Sequence, residues 1–235
     1  MKRVAIFSVG FLMLFSLSAR LTGTMSGGCA DFAPPDGGTS AVQIPKGSAV
    51  TIDGKINDDE WRGAFVGELV GGGEVRLLQS DSNLYVGLRG LKQGWGHVYV
   101  IEGDTIRVLH ASAALGTAIY RRNGGTWQPT QPFDWELRDR VITDATKAAM
   151  SKFFEANGWV ANNVNMSNSF EVEYKVHGKF FTGAARMAVL FASHPQSPLH
   201  WPKSLADDAV AEQLVRGNTP TDLRFDVTTW AQIKL

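Results

Sequence analysis

Short segments rich in β-branched and aromatic residues, separated by turn-forming residues, recur along most of the chain and constrain its fold more than any other feature. Strands are predicted at Ala49 to Ile52, Glu74 to Ser80, Leu84 to Leu88, His97 to Glu102, Thr105 to Ala111, Thr117 to Arg121, Ser169 to Val176, Arg186 to Ala192 and Phe225 to Thr228. Tight turns are expected at Asp81-Ser82-Asn83 and at Gly103-Asp104. This series predicts an all-β chain folded as an antiparallel, jelly-roll-like β-sandwich.

One helix is predicted among these strands, from Ala145 to Ala156, with Asp144 as its N-cap and Asn157-Gly158 at its end. The apolar residues expected on its buried side are Ala149, Met150, Phe153 and Phe154. We expect this helix to pack across an end of the sandwich. A second, weaker helix is predicted at Asp207 to Val215.

The first 30 residues have the order of an export signal. A short basic start, Met1 to Arg3, is followed by a mostly apolar run, Val4 to Leu17, and then by small and polar residues down to Ala30. The apolar run is shorter than the roughly 20 residues that a membrane-spanning helix needs. We therefore expect an exported protein that works in the periplasm, outside the cell, or attached to the cell envelope by lipid.

Two outcomes are open for this signal. An ordinary signal peptidase would cut after Ala19 or Ala30, since small residues stand at the positions that it reads. Alternatively, Ser26-Gly27-Gly28-Cys29 resembles a lipobox, in which Cys29 would carry the lipid. Cys29 is the only cysteine of the chain, which favours a dedicated role such as lipidation.

Removal of residues 1–30 leaves a Pro-, Gly- and Ser-rich segment, residues 31–47, and a single domain, residues 48–235. The segment is predicted to be a flexible tether. The signal holds three of the 23 basic residues and none of the 23 acidic ones, so 20 basic residues face 23 acidic ones in the mature chain. This balance predicts no nucleic-acid partner, and membrane contact only through a lipid anchor.

The start of the domain carries a family resemblance. The run Ile52-Asp53-Gly54-Lys55-Ile56-Asn57-Asp58-Asp59-Glu60-Trp61, followed by Val75-Arg76-Leu77-Leu78 and Asn83-Leu84-Tyr85-Val86-Gly87-Leu88, resembles the opening of the family-9 carbohydrate-binding modules and their DOMON-like relatives. The resemblance implies a β-sandwich and a non-catalytic, glycan-binding protein. Some members carry calcium, so the carboxylates of this run could bind calcium, or they could be structural, with Asp53-Gly54 in a turn and Trp61 plugging the sandwich edge.

Known sugar-binding members of this family hold a sugar between aromatic rings, and flat rings stack well on sugar C–H faces. The tryptophans that stand in segments predicted to be irregular are candidates for this role, and they are Trp95, Trp127, Trp135, Trp159 and Trp201. Trp127 and Trp135 lie in Gly124 to Glu136, which we interpret as a loop. Each ring could equally cover an end of the sandwich as part of its core.

Hairpin geometry predicts a second candidate site. If Gly103-Asp104 is a two-residue turn, His97 lies directly opposite His110 on one face of the sheet, about 5 Å apart at Cβ. That face also carries Tyr99, Ile101, Ile106 and Val108, so we expect it to be the inward face. The two imidazoles could share a metal, or they could be neutral core histidines hydrogen-bonded to nearby groups such as Ser112.

Some DOMON-like proteins bind haem, which makes His97, His110 and Met187 candidate axial ligands under the family resemblance. No haem-attachment motif is present, so such a haem would be non-covalent. Catalysis has little support, since the sequence has no nucleophile elbow, HExxH motif or P-loop. The sequence thus predicts a carbohydrate-binding protein, with a haem- or metal-binding protein and a structural envelope protein as the alternatives.

Overall fold

A computed structural model describes residues 41–137, 143–163, 170–193, 197–206 and 225–235, which form two packed β-sheets and one helix. The larger sheet contains β1 (Val42–Gln43), β5 (Trp95–Glu102), β6 (Thr105–Ala111), β7 (Leu115–Asn123), β8 (Thr126–Glu136), β11 (Arg186–Ala192), β12 (Leu199–Trp201) and β13 (Ala231–Lys234). The smaller sheet contains β2 (Phe65–Glu68), β3 (Glu74–Ser80), β4 (Asn83–Arg89), β9 (Trp159–Asn162) and β10 (Glu171–His177). The predicted all-β sandwich is confirmed.

The strand order of the larger sheet is β1-β13-β11-β5-β6-β7-β8. Strand β12 pairs with residues 189–191 of β11, beyond the part of β11 that pairs with β13. The order of the smaller sheet is β2-β3-β4-β10-β9. Among the described strands, β1 and β13 pair in parallel and the other pairs are antiparallel. No helix within the described ranges is long and apolar enough to cross a membrane.

The space between the sheets is filled by apolar side chains from both of them. Val98 and Val100 of β5 belong to the same buried cluster as Val86 and Leu88 of β4. Full burial of each such side chain contributes about 1.5–3 kcal/mol relative to exposure. Because a strand alternates its side chains between two faces, these residues identify the face of each sheet that points toward the other sheet.

The hairpin of β5 and β6 has the register that the two-residue turn predicts. Gly103 has a φ of 56°, which suits the first position of a type II′ turn. Glu102 pairs with Thr105, and His97 pairs with His110. Strand register was therefore predictable here from the position of a single glycine.

The predicted helix is present as α1 (Asp144–Asn157). Its N-cap is Thr143 rather than Asp144, because the Thr143 hydroxyl accepts a hydrogen bond of 3.2 Å from the backbone N–H of Thr146. Gly158 ends the helix in a left-handed conformation and donates its N–H to the carbonyl of Phe154.

Helix α1 leads from β8 of the larger sheet to β9 of the smaller sheet and packs on β9. Met150 and Phe153 are its buried residues, and the ring of Phe153 lies 5.4 Å from that of Trp159. Trp159 Nε1 donates a 2.8 Å hydrogen bond to the hydroxyl of Thr117, on β7 of the opposite sheet. This contact ties the two sheets together near the helix.

Two strand predictions and one loop prediction were wrong. Ala49 to Ile52 forms no strand, since Val50 packs instead with Trp61 against the smaller sheet. Gly124 to Glu136 is not a loop, because most of it is the 11-residue strand β8. The region of Phe225 to Thr228 contains a 3₁₀ turn, Val227–Thr229, which the Asp226 carboxylate caps. The second predicted helix, Asp207 to Val215, lies mostly outside the described residues.

The end of the predicted tether belongs to the sandwich. Val42 and Gln43 pair with Ile233 and Lys234 of β13, and Ile44 is buried in the core between the sheets. Backbone hydrogen bonding and burial therefore begin before residue 48, where the domain was predicted to start.

Candidate functional site

The larger sheet buries side chains on both of its faces. Along β5, Val98 and Val100 point toward the smaller sheet, whereas Tyr99 and Ile101 alternate with them and point away. We call the face that points away from the smaller sheet the outer face. Its buried cluster contains Tyr99, Ile101, Ile106, Val108, Ala118, Tyr120, Trp127, Ala188, Leu190, Phe225 and Trp230.

His97 and His110 lie on this outer face, so the prediction that they point inward, between the sheets, was wrong. Both faces of β5 carry buried apolar side chains, and alternation along this strand therefore could not distinguish them. The prediction that the two histidines face each other is confirmed. One row of paired residues crosses the sheet, in the order His200, Leu190, His97, His110, Gly116 and Trp135.

The two histidines are hydrogen-bonded to each other. His110 Nδ1 lies 2.8 Å from His97 Nε2, and His97 is 0% exposed. Burial lowers the pKa of His97 to about 3, so its ring is neutral at neutral pH. One of these two nitrogens carries a hydrogen and donates the hydrogen bond, and the other nitrogen accepts it.

This arrangement does not fit a shared metal ion. Two nitrogens bound to one tetrahedral zinc would be about 3.3 Å apart, given Zn–N bonds of about 2.0–2.1 Å. The 2.8 Å separation is that of a hydrogen bond, which occupies the two nitrogens that face each other. No group of three or more His, Cys, Asp or Glu side chains that could hold a metal occurs among the described residues.

The haem ligands predicted from the family resemblance do not converge. Met187 belongs to the cluster between the sheets, whereas His97 and His110 lie on the outer face of the same sheet. The sheet itself therefore separates the methionine from the imidazoles.

Three partly exposed aromatic residues lie at one end of the outer face, and we call Trp95, Phe133 and Trp135 the aromatic platform. The rings of Phe133 and Trp135 are nearly parallel, with centroids 5.1 Å apart. The ring of His110 meets Trp135 edge-on at 5.0 Å. Both platform rings on β8 lie close to Gly116, where a Cβ atom would come within 2.8 Å of Trp135.

Trp95 reaches the same end of the sheet from β5. It stands two residues before His97, and strand alternation therefore places it on the outer face. Strands β5, β6, β7 and β8 are consecutive neighbours, so Trp95 and Trp135 are separated by three strand spacings across the sheet and two residues along it, about 16 Å between their Cα atoms.

The other three candidate tryptophans are buried. Trp127 is 2% exposed on the outer face, packed against Phe225. Trp159 and Trp201 belong to the cluster between the sheets. They lie in β9 and β12 rather than in irregular segments, and no ring face of these three tryptophans is open to a ligand in this structure. Only Trp95 and Trp135 of the five therefore enter the candidate site.

The acidic run near the start of the domain is engaged in protein contacts. Asp58 pairs with Arg76 at 2.7 Å, and this hydrogen bond lowers the pKa of the Asp58 carboxyl. Asp59 pairs with Arg62 at 2.6 Å, and the Asn57 side chain accepts the backbone N–H of Asp59. These contacts give the run a structural role in the turn before β2.

No family profile, curated protein or solved structure that was compared with this chain matches it. The resemblance to family-9 carbohydrate-binding modules therefore stays a prediction.

Sequence reasoning missed Phe133 and Gly116 as parts of the site. The spacing of Phe133 and Trp135 places them on one face of a strand, a signal that was hidden because Pro129 and Pro132 suggested a loop. Gly116 could not be assigned, since its role depends on the pairing of β7 with β8.

Proposed function

We propose that this chain is an exported, non-catalytic carbohydrate-binding protein whose binding surface is the aromatic platform. The observation that carries this proposal is the grouping of Trp95, Phe133 and Trp135, all partly exposed, at one end of the outer face. Aromatic rings offer large, flat, apolar surfaces, and such surfaces stack on the C–H faces of sugar rings.

The platform is supported by rigid structure, which favours binding because little side-chain freedom is lost. Phe133 and Trp135 lie on β8, which is paired with β7, and their rings stack on each other. Both rings also contact His110, which is 5% exposed. The separation of about 16 Å between the Cα atoms of Trp95 and Trp135 favours an oligosaccharide over a single sugar, since one ligand would have to span both rings.

Binding to an array of immobilised neutral and acidic oligosaccharides tests the proposal. The wild-type protein should be retained, and both Trp135→Ala and Trp95→Ala should lose retention. Phe170→Ala is the matched control, because Phe170 is an exposed aromatic residue, 49% accessible, that lies outside the larger sheet. A wild type that no glycan retains, or two tryptophan variants that bind like the control, would contradict the proposal.

Export is the second part of the proposal, and the order of residues 1–30 supports it. Mass spectrometry of the mature N-terminus distinguishes the two open outcomes. A lipid-modified chain that begins at Cys29 identifies an envelope lipoprotein, and a chain that begins at Arg20 or Asp31 identifies a soluble exported protein. Retention of Met1 on the mature chain would overturn export.

A further inference from the structure

Two buried nitrogen atoms beside the aromatic platform have no hydrogen-bond partner among the described residues. They are Trp95 Nε1 and His97 Nδ1. The two side chains are next neighbours on one face of β5, since they are two residues apart in the same strand. Native proteins pair most buried polar atoms, so two unpaired atoms on neighbouring side chains indicate a missing partner.

The bonding of His97 restricts the chemistry of that partner. Its Nε2 is already joined to His110 Nδ1, which leaves Nδ1 on another side of the ring. If His97 donates from Nε2, Nδ1 is an acceptor, and if it accepts there, Nδ1 is a donor. A hydroxyl group suits either case, because it both donates and accepts, and it can also accept the N–H of Trp95.

The surroundings of the two nitrogens favour a neutral group. Trp95 and His97 pair with Ala192 and Leu190 of the neighbouring strand β11, which are both buried and apolar. On the other side, His97 faces its hydrogen-bonding partner His110, and burial alone lowers the pKa of His97, with no charged neighbour contributing. A carboxylate or sulfate placed here would lose its hydration without gaining a counter-charge.

The position of these atoms connects them to the platform. Trp95 supplies a buried nitrogen and is also partly exposed, so the unpaired atoms lie within one side chain of solvent. A sugar that stacks on Trp95 would therefore lie next to the side chain of His97 on the same face of β5.

We propose that Trp95 and His97 determine the specificity of the carbohydrate site, by receiving one hydroxyl group of a neutral oligosaccharide between Trp95 Nε1 and His97 Nδ1. This inference rests on the proposed function. It adds the class of sugar, which is neutral rather than anionic, and the polar atoms that form hydrogen bonds with its hydroxyl group.

Calorimetric titration with cellohexaose, maltohexaose, chitohexaose and the anionic hexamer of galacturonic acid tests the inference. The wild type should bind a neutral hexamer more tightly than the anionic one. Trp95→Phe keeps an aromatic ring but removes the N–H, and it should weaken that binding about two- to tenfold. Trp127→Phe is the matched control, since it makes the same change on the outer face at a buried tryptophan outside the platform.

Thermal unfolding of the unliganded variants separates a ligand contact from a structural one. Trp95→Phe should not lower the melting temperature of the unliganded protein, because Trp95 Nε1 has no described partner to lose. A lower melting temperature combined with unchanged affinity would assign the nitrogen to a buried water and overturn the inference. Tighter binding of the anionic hexamer would overturn it as well.

Nitrogen-15 NMR of histidine-labelled wild type gives a readout that needs no His97 variant. Saturation with the bound neutral hexamer should shift the His97 Nδ1 resonance, since that atom gains a hydrogen bond. An unmoved resonance in a protein that does bind the hexamer would overturn the role of His97 and leave the proposed function standing. A wild type that binds none of the hexamers and no arrayed glycan would instead remove both.

Discussion

Trp61 Nε1 donates a 2.9 Å hydrogen bond to Oε1 of Glu173, a carboxyl group that is 0% exposed. The other oxygen of Glu173 accepts the backbone N–H groups of Gly54, at 2.9 Å, and Asp53, at 3.2 Å. One buried carboxyl group thus fastens the segment before β2 to the smaller sheet. The Asp-Gly and Trp positions that carry the family resemblance therefore have a structural explanation in this chain.

Trp61→Phe should lower the free energy of unfolding by about 1.5–3 kcal/mol, because a buried carboxyl group loses a hydrogen bond. Urea denaturation measures the change. Trp95→Phe is the control, since Trp95 Nε1 has no partner among the described residues, and it should change the free energy of unfolding little. Equal losses in the two variants would show that ring size, and not the bond to Glu173, sets the effect.

Glu173 should make stability depend on pH. Burial raises the pKa of its carboxyl from 4.5 to about 7. The folded state therefore holds a proton that the unfolded state releases, and the stability from this group is full below pH 4.5 and is lost as the pH rises to 7. His97 acts in the opposite sense: burial lowers its pKa from 6.5 to about 3, so its contribution is lost as the pH falls below 6.5.

These two contributions should offset each other between pH 4.5 and 6.5 in the wild type. Glu173→Gln removes the contribution of Glu173 and leaves that of His97. The free energy of unfolding of this variant should therefore rise by on the order of 2 kcal/mol as the pH increases from 4.5 to 6.5. Urea denaturation at half-unit pH steps measures both proteins. Parallel pH profiles for wild type and variant would show that the Glu173 carboxyl does not change its protonation on folding in this range.

Parts of this fold were predictable because their causes are local in sequence. The Gly103 turn determines which residues of β5 and β6 face each other, and the Gly158 cap ends the helix where the sequence indicates. Glu173 could not be found in this way. Its partners Trp61 and Gly54 are more than 100 residues away along the chain, and only the packing of the segment before β2 on β10 brings them together.

The candidate site was less predictable than the fold, because solvent exposure of an aromatic ring depends on the tertiary structure. Trp127 and Trp135 occur in one sequence segment and on one strand, yet Phe225 from the end of the chain packs against Trp127. Trp135, at the other end of β8, stays partly exposed. Composition and spacing predict the same exposure for both tryptophans. Their exposure differs because Trp127 contacts a residue that is distant in sequence.

Tyr120→Phe should leave the free energy of unfolding unchanged or raise it by up to about 1 kcal/mol. The Tyr120 hydroxyl is buried on the outer face and has no partner among the described residues, so its removal costs no hydrogen bond. Trp159→Phe is the contrasting variant, because it removes a hydrogen bond to Thr117, and it should cost about 1–3 kcal/mol. A comparable loss in Tyr120→Phe would reveal a bonded partner for its hydroxyl.

Gly116→Ala should disturb the aromatic platform without unfolding the domain. The added methyl group would come within 2.8 Å of Trp135, so the ring must move, at a cost of about 1–3 kcal/mol in the free energy of unfolding. Near-ultraviolet circular dichroism should report the altered packing of Trp135, and glycan retention should fall with it under the proposed function.

Gly125→Ala is the matched control for this change, since a Cβ atom at Gly125 would meet nothing within 4 Å. Gly116 lies in β7 and Gly125 in the turn that joins β7 to β8, so a general effect of alanine on that hairpin would appear in both variants. A change confined to Gly116→Ala assigns it to the contact with Trp135. Wild-type stability and an unaltered near-ultraviolet spectrum in Gly116→Ala would show that Trp135 does not depend on the space that this glycine leaves.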